Sequence, residues 1–318
     1  MADESGRVKG EEGSAPRAGN SAARVSVVLP AYNASNTVAR SIGSALAQNF
    51  DDRVEVIATD DGSTDSTRDI LAALGQGVRV IGQTNRGAAA ARNAAAALAR
   101  GEYLALLDAD DVWLPNKLRS TIGALQENPR AVLAYSDILC VNGRGEPVPA
   151  PSPPNPAGTL EQMLCGSLGP IYSSTVVMRR SAFVETGGFC EEFRGAGFED
   201  TLMWLRMREL GEFVCVPEAL VLYRCPDFEQ LSEKYGQNLS IYIRLVRQRY
   251  GRAAARVVAR HTHSQFAASL LTKAARHLGE GRNLAAAWTM LRALRHEPLR
   301  VLGSLDLQRR LKVRDPGA

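Results

Sequence analysis

Four apolar runs separated by segments of helical length leave few folds open to this chain. VSVVL (25–29), VEVIAT (54–59), VRVIG (78–82) and YLALL (103–107) are each apolar throughout or nearly so, the pattern of strands covered on both faces. Between them lie ASNTVARSIGSALAQ, STDSTRDILAAL and GAAAARNAAAALARG, which have the length and pattern of helices. Strand and helix repeated in this order require right-handed crossovers and a parallel sheet, so the fold class is α/β. In an open parallel sheet, ligands bind beyond the carboxyl ends of the strands. The residues following the four runs are PAYN, DDGS, QTNRG and DADD, which places the polar clusters of the first half on one edge of one sheet.

The last cluster is the strongest chemical signal. In YLALLDADDVWLP (103–115), Asp108, Asp110 and Asp111 follow the strand directly. Two carboxylates at an i, i+2 spacing point to the same side through the bend of a turn, where they suit a hard divalent ion. Mg²⁺ takes only one or two protein carboxylates and fills its other positions with water and substrate phosphate. An Asp-rich turn with Asp111 as N-cap of a helix over VWLPNKL accounts for the same residues without a metal. Taken alone, the spacing leaves both readings open. Any metal in the first two thirds needs oxygen ligands, because all four histidines lie beyond residue 260.

A chain of 318 residues is long enough for one large core or two modest domains without disulfides or metals. The five cysteines are odd in number and form no CxxC pair, so reduced thiols in a cytoplasmic setting are expected. Residues 1–23 lack the run of about 7–15 apolar residues of a secretory signal and read as a disordered tail. No window approaches the roughly 18 uninterrupted apolar residues of a membrane span.

Beyond residue 130 the pattern loosens. AVLAYSDIL reads as a fifth strand, GEPVPAPSPPNPAGT (145–159) as a long loop, and SSTVVM (173–178) as a strand. GGFCEEFRGAGFED reads as a Gly-rich loop before a helix over TLMWLRMREL. EFVCVP and ALVLYR read as two short strands closing the compact part. Three or so amphipathic helices follow from about residue 234, and NLAAAWTMLRAL places Leu284, Trp288, Leu291 and Leu294 on one face. From residue 235 onward 16 Lys and Arg stand against four acids, a surplus of 12. The whole chain carries +4, so residues 1–234 carry −8, and the two parts are expected to meet different partners. The basic helices either pack on the acidic module with a solvated Arg-rich face or lie on an anionic leaflet, and some membrane association is expected. Nucleic acid is not expected as a partner, because no recognised binding motif accompanies the charge.

The order VSVVLPAYNASNTVARSIGSALAQ, DDGSTDST, NRGAAAARNAAAALARGEYLALLDADD and GFEDTLMWLRM resembles the family 2 glycosyltransferases of the GT-A fold. The resemblance covers residues 24 to about 224. It implies a Rossmann-like, mostly parallel sheet with helices on both faces over 24–233. Within it lie a nucleotide-sugar half (24–127) and an acceptor half (128–233), followed by a basic helical extension over 234–318. It also implies inverting transfer from a nucleotide-diphospho-sugar, a UDP-sugar being the first expectation, onto a glycan or lipid-linked acceptor hydroxyl, as in surface polysaccharide or glycolipid synthesis. By resemblance, Pro30, Ala31 and Tyr32 line the nucleoside pocket and Asp61 hydrogen-bonds the base. Asp108 and Asp110 hold Mn²⁺ or Mg²⁺ on the diphosphate, with Asp110 the direct ligand, and Arg92 of ARN reaches phosphate or sugar. Asp200 is the catalytic base implied by the ED pair, with Glu199 competing for that role. Asp200 also fits a helix start, where Asp is a favoured N-cap. The pattern departs from many relatives after LYR, where a His that reaches the metal or diphosphate is replaced by the neighbourhood of Cys225, Asp227 and Gln230.

Other readings fit less well. A nucleotidyltransferase is expected to carry a Gly-rich, basic loop after its first strand, and PAYNASNT is neither. A dinucleotide-dependent dehydrogenase would carry GxGxxG there. A non-catalytic nucleotide-sugar-binding or scaffold protein of the same fold is the remaining alternative, against which stands the presence of Asp108, Asp110 and Asp200 together.

Overall fold

A computed structural model of the chain describes residues 24–75, 77–149, 158–164, 170–193, 197–225 and 228–296. The expected tail (1–23), most of the Pro-rich loop, residues 165–169, residues 194–196 of the Gly-rich loop, Asp227 and residues 297–318 lie outside the described residues.

The chain runs β1 (Val25–Ala31), α1 (Val38–Leu46), β2 (Val54–Asp60), α2 (Thr67–Ala73), β3 (Val78–Gly82), α3 (Ala88–Ala97) and β4 (Tyr103–Leu106). It continues through β5 (Val112–Trp113), α4 (Lys117–Glu127), β6 (Ala131–Val141), α5 (Leu160–Leu164), a 3₁₀ turn (Ser173–Thr175), β7 (Val177–Arg179), α6 (Arg180–Thr186) and α7 (Glu199–Leu210). β8 (Glu212–Arg224), α8 (Phe228–Gly279) and α9 (Asn283–His296) complete it. Among the described residues the strands form one eight-stranded sheet in the order β3-β2-β1-β4-β7-β6-β8-β5. β1 to β4 are mutually parallel, as the alternating pattern predicts. β7 is antiparallel to both of its neighbours.

Both faces of the sheet are covered, which is why its first strands carry no polar alternation. Val25, Val27 and Leu29 pack with Val38, Ile42, Leu118 and Ile122 of α1 and α4. Val28, Ile57, Leu104 and Leu106 pack with Ala89 and Ala95 of α3 and Met203, Trp204 and Met207 of α7 on the other side. A third core joins Phe198, Leu202 and Leu205 to Leu239, Tyr242 and Val246 of α8, so the first basic helix is packed on the α/β module. α8 is broken at Gly251, whose φ of 85° is not helical.

The structure corrects four expectations. The runs EFVCVP and ALVLYR are one strand, β8, parallel to β6. Its register shifts where Pro217 and Glu218 are passed over opposite Ser136 and Asp137, a bulge that accommodates a proline without a donor. SSTVVM is a strand only in its second half, after the 3₁₀ turn. Asp111 is not an N-cap, because Val112–Trp113 pairs with β8 as a short strand and α4 begins only at Lys117. Cys140 and Cys225 form a disulfide, so these two are not free thiols. They meet because β6 and β8 run side by side to their carboxyl ends.

Candidate active site

The rim is built from the carboxyl ends of β1, β2 and β4, with α7 closing over it. Parallel register sets Pro30 beside Thr59 and Ala31 beside Asp60, which brings the PAYN and DDGS loops together. They are stitched by the Asn33 N–H donating to Ser63 Oγ (3.1 Å), the Thr64 N–H to Asn33 Oδ1 (2.8 Å) and the Ala34 N–H to Thr67 Oγ1 (2.8 Å). Ala31 is buried, Pro30 half-buried, and the Tyr32 ring stands 50% exposed at the mouth, presenting an apolar plane to solvent.

Asp61 is buried and braces the next loop. Its Oδ1 accepts from the Arg86 N–H (2.8 Å) and Gln83 Nε2 (2.7 Å), and its Oδ2 from the Gly87 N–H (2.8 Å). Those bonds fix the start of α3 and with it Arg92. Gly62 follows with φ 75°, and a side chain there would meet the Asn85 backbone at 2.8 Å, so only glycine fits the turn.

Asp108 to Asp111 form a tight turn closed by the Asp111 N–H on the Asp108 carbonyl (3.2 Å). The three acids have different surroundings. Asp111 is fully buried, accepting from Ser174 Oγ and from the Arg224 N–H (2.8 Å). Burial and the neighbouring charges of Asp110 and Asp108 push its carboxyl well up. It ties β4, the 3₁₀ turn and β8 together. Asp108 receives Arg92 Nη2 at 2.7 Å through Oδ1, and its backbone N–H donates to Ser174 Oγ (3.0 Å). Asp110 is exposed at the tip and enters no ion pair among the described residues. Partial desolvation by the protein packed around the turn, with the Asp108 charge beside it, pushes its carboxyl up to about 6.

Across the rim, Arg92 is buried and also reaches Glu199 Oε1 through Nη1 at 3.4 Å. Its guanidinium lies 5.4 Å from the centre of the Phe189 ring. Glu199 opens α7, and its second oxygen accepts the Gly197 N–H (2.9 Å). Burial, with the Asp200 charge beside it, pushes Glu199 up to about 7 despite Arg92. Asp200 is the second residue of α7 and not its N-cap, a position taken by Phe198. Within this network its carboxylate accepts only from the backbone and hydroxyl of Thr201. Burial holds Asp200 above the usual carboxylate range, opposed by the Arg92 charge and reinforced by Asp108. The loop before α7 is moored by Arg86, just ahead of α3, on Glu191 (2.5 Å) and by Asn93 Nδ2 of α3 on the Phe189 carbonyl (2.9 Å).

Of the residues singled out from sequence, Asp108, Asp110, Glu199 and Asp200 therefore share one charge network, and Arg92 is its buried centre. Three contributors were missed. Ser174 links Asp108 to Asp111, the Tyr172 and Tyr223 rings lie 4.5 Å apart beside the acids, and Tyr242 stacks on Phe198 at 4.7 Å. Nothing in IYSST marks the serine as a strut. The position of Gln230's side chain lies outside the description, as does Asp227.

The donor set suits a divalent cation of a particular kind. Among the described residues no group of three or more His, Cys, Asp or Glu side chains could cage an ion unaided. An exposed Asp110, with the second oxygen of Asp108, offers hard carboxylate oxygens of the number that Mg²⁺ or Mn²⁺ takes when phosphate and water complete the shell.

Residues 26–187 match the family described as Glycosyl transferase family 2, and residues 162–258 that described as Glycosyltransferase like family 2. The chain belongs to glycosyltransferase family 2. It is 30% identical over 200 residues to the putative glycosyltransferase EpsE of Bacillus subtilis, covering 60% of this chain and 69% of that one. Over 115 residues, 36% of this chain and 45% of the relative, it is 36% identical to the Escherichia coli UDP-Glc:alpha-D-GlcNAc-diphosphoundecaprenol beta-1,3-glucosyltransferase WfaP. Relatives 36% to 38% identical to it are matched over only 39% to 45% of their own length. The fold is that of the mannosyltransferase PcManGT from Pyrobaculum calidifontis, solved with GDP-Man and Mn²⁺. That likeness has a TM-score of 0.60 at 16% identity over 92% of this chain and 81% of that one, and it establishes the GT-A architecture.

Proposed function

We propose that this protein is an inverting, Mn²⁺- or Mg²⁺-dependent glycosyltransferase. It moves a sugar from a nucleotide-diphospho-sugar, a UDP-sugar first among candidates, to an acceptor hydroxyl in surface polysaccharide or glycolipid assembly. The observation that carries this reading is Arg92, whose two Nη atoms hold Asp108 on one side and Glu199 on the other. Charge for a departing diphosphate and a carboxylate for an incoming alcohol thus stand in one rigid frame.

Tyr32, Pro30 and Ala31 would seat the nucleoside, with Asp61 hydrogen-bonding its base. Asp110 and the free oxygen of Asp108 would hold the metal ion, which when bound supplies Lewis-acid neutralisation of the diphosphate, typically worth several kcal/mol in such reactions. In the transfer, the acceptor oxygen bonds to the anomeric carbon and the bond from that carbon to the diphosphate oxygen breaks. The electron pair leaves with the nucleotide and the acceptor proton passes to Asp200. Asp200 suits this role better than Glu199, because Glu199 is engaged by Arg92 and the Gly197 N–H while Asp200 accepts only from Thr201. Its raised affinity for a proton brings a carboxylate closer to the neutral range where a general base works best. WfaP is named for a lipid-linked acceptor, and the basic C-terminal helices would bring this enzyme to the anionic membrane face where such an acceptor lies.

The test is a panel of UDP-, GDP- and dTDP-sugars offered to the purified protein with Mn²⁺, alongside Asp200→Asn. Loss of about 10²- to 10⁴-fold in turnover with unchanged nucleotide binding is expected for a missing general base. Binding without turnover in both proteins would favour the scaffold alternative. Neither binding nor hydrolysis of any donor would remove the transferase reading altogether.

A further inference from the structure

α9 lies on α8 through the wrong side of its own apolar pattern. Among its described side chains those buried are Ala286, Thr289 and Ala293, small side chains that allow close helix approach. Three large apolar residues point the other way: Leu284 is 89% exposed, Trp288 58% and Leu291 65%. Spaced at i, i+4 and i+7, they form a single stripe along the helix. The Arg292 guanidinium lies 4.8 Å from the centre of the Trp288 ring, and Arg282, paired with Glu280, stands at the helix start. No acid occurs from Asn283 to His296, and Arg252, Arg256 and Arg260 are exposed on α8. Trp113 and Trp204 are each only 3% exposed, so Trp288 is the tryptophan set in water.

From this we infer that the Leu284–Trp288–Leu291 stripe is a docking surface for an anionic lipid bilayer, into whose interface the three side chains insert while the arginines meet headgroups. The occupant is identified by two kinds of complementarity. A stripe with leucines and a tryptophan beside arginines is what an in-plane interfacial helix presents, and the tryptophan with its arginine sits naturally at headgroup level. The surplus of 12 positive charges from residue 235 onward adds attraction to anionic lipid, and among the described residues no helix is long and apolar enough to cross a membrane. Binding of this kind is peripheral and reversible. The inference rests on the proposed transferase reading only for its use, bringing the rim to a lipid-linked acceptor. Vesicle binding needs neither donor nor acceptor, so either reading can fail while the other stands.

The experiment follows Trp288 emission in the full chain, with Trp288→Phe subtracting the two buried tryptophans. Phosphatidylglycerol-containing vesicles at low salt are expected to shift the emission to the blue and shield it from acrylamide. Pure phosphatidylcholine is expected to have little effect. Leu284→Ser with Leu291→Ser should weaken vesicle affinity about tenfold or more through lost apolar insertion, with the circular dichroism spectrum unchanged. Three results would overturn the inference. The first is no binding to anionic vesicles. The second is equal binding by the double variant, which would mean electrostatic adhesion without insertion. The third is a Trp288 already shielded from acrylamide without vesicles, which would mean that another segment or a second copy covers the stripe.

Discussion

Arg92 decides the electrostatics of the site. A guanidinium this deep is retained only where carboxylates match it, and it has two, Asp108 at 2.7 Å and Glu199 at 3.4 Å. Burial still disfavours a second anion beside Asp200, so Glu199 titrates near 7 against an ordinary 4.5, and Asp200 also lies above its usual range. Carboxylates this close titrate as a pair. A base must be anionic to accept a proton, so with the Asp200 carboxyl held above its usual range by burial, kcat/KM is expected to fall on acidification at a higher pH than an ordinary carboxylate would give. An ordinary carboxylate would lose activity only near about 4. Glu199→Gln removes the neighbouring anion and should move that limb to lower pH. A wild-type limb near 4, or one unmoved by the substitution, would contradict this. The same shift affects stability. A carboxyl whose pKa is raised on folding contributes stability that is whole below its unfolded value of 4.5 and is lost as pH rises through 7.

At the scale of elements, α7 is the part that must be held correctly, because Glu199 and Asp200 occupy its first turn. The residue before it, Phe198, has φ 74°, a left-handed conformation that costs a bulky residue of order 1–3 kcal/mol. Its ring is buried and lies nearly parallel to that of Tyr242 on α8, 4.7 Å away. Tyr242→Ala removes that support and is expected to cost about 3–5 kcal/mol, as aromatic truncations in cores do. It should also lower kcat more than it changes the donor KM. Tyr242→Phe keeps the ring and should restore turnover, whereas equal losses in both variants would mean that the hydroxyl and not the stack matters. This contact also marks where sequence reading stops. β1 to β4, the helices between them and the rim of polar clusters follow from local apolar runs and the handedness of crossovers, and the structure has all of them. The strut role of Ser174, the burial of Arg92 and the contribution of α8 depend on which distant segments meet. No periodicity within a segment encodes that meeting. The unity of β8 was hidden for a local reason, since Pro217 reads as a strand end until β6 shows it to be a bulge.

For the whole molecule, the consequence is that the two sides of the rim are not mechanically separate. Asp61 fixes the start of α3, α3 carries Arg92, and Arg92 grips both Asp108 and the start of α7, while α8 shares a core with α7. A ligand that binds the folded rim should therefore stabilise the whole chain in one transition and not only its first half. With UDP and Mn²⁺ at about 100 times Kd, mass action adds about 2.7 kcal/mol. In domains of about 150–250 residues each kcal/mol moves the midpoint by about 2–4 °C, and in a larger chain by somewhat less, so a rise of about 4–5 °C is expected in a thermal melt. Asp110→Asn should lose the part of the rise that needs Mn²⁺ and leave the smaller effect of UDP alone, since the pocket proposed for the nucleoside around Tyr32 is untouched. Two separate transitions, with only one of them moving on ligand addition, would show that the Arg92 frame does not couple the halves. A Mn²⁺-dependent rise that survived Asp110→Asn would place the metal elsewhere.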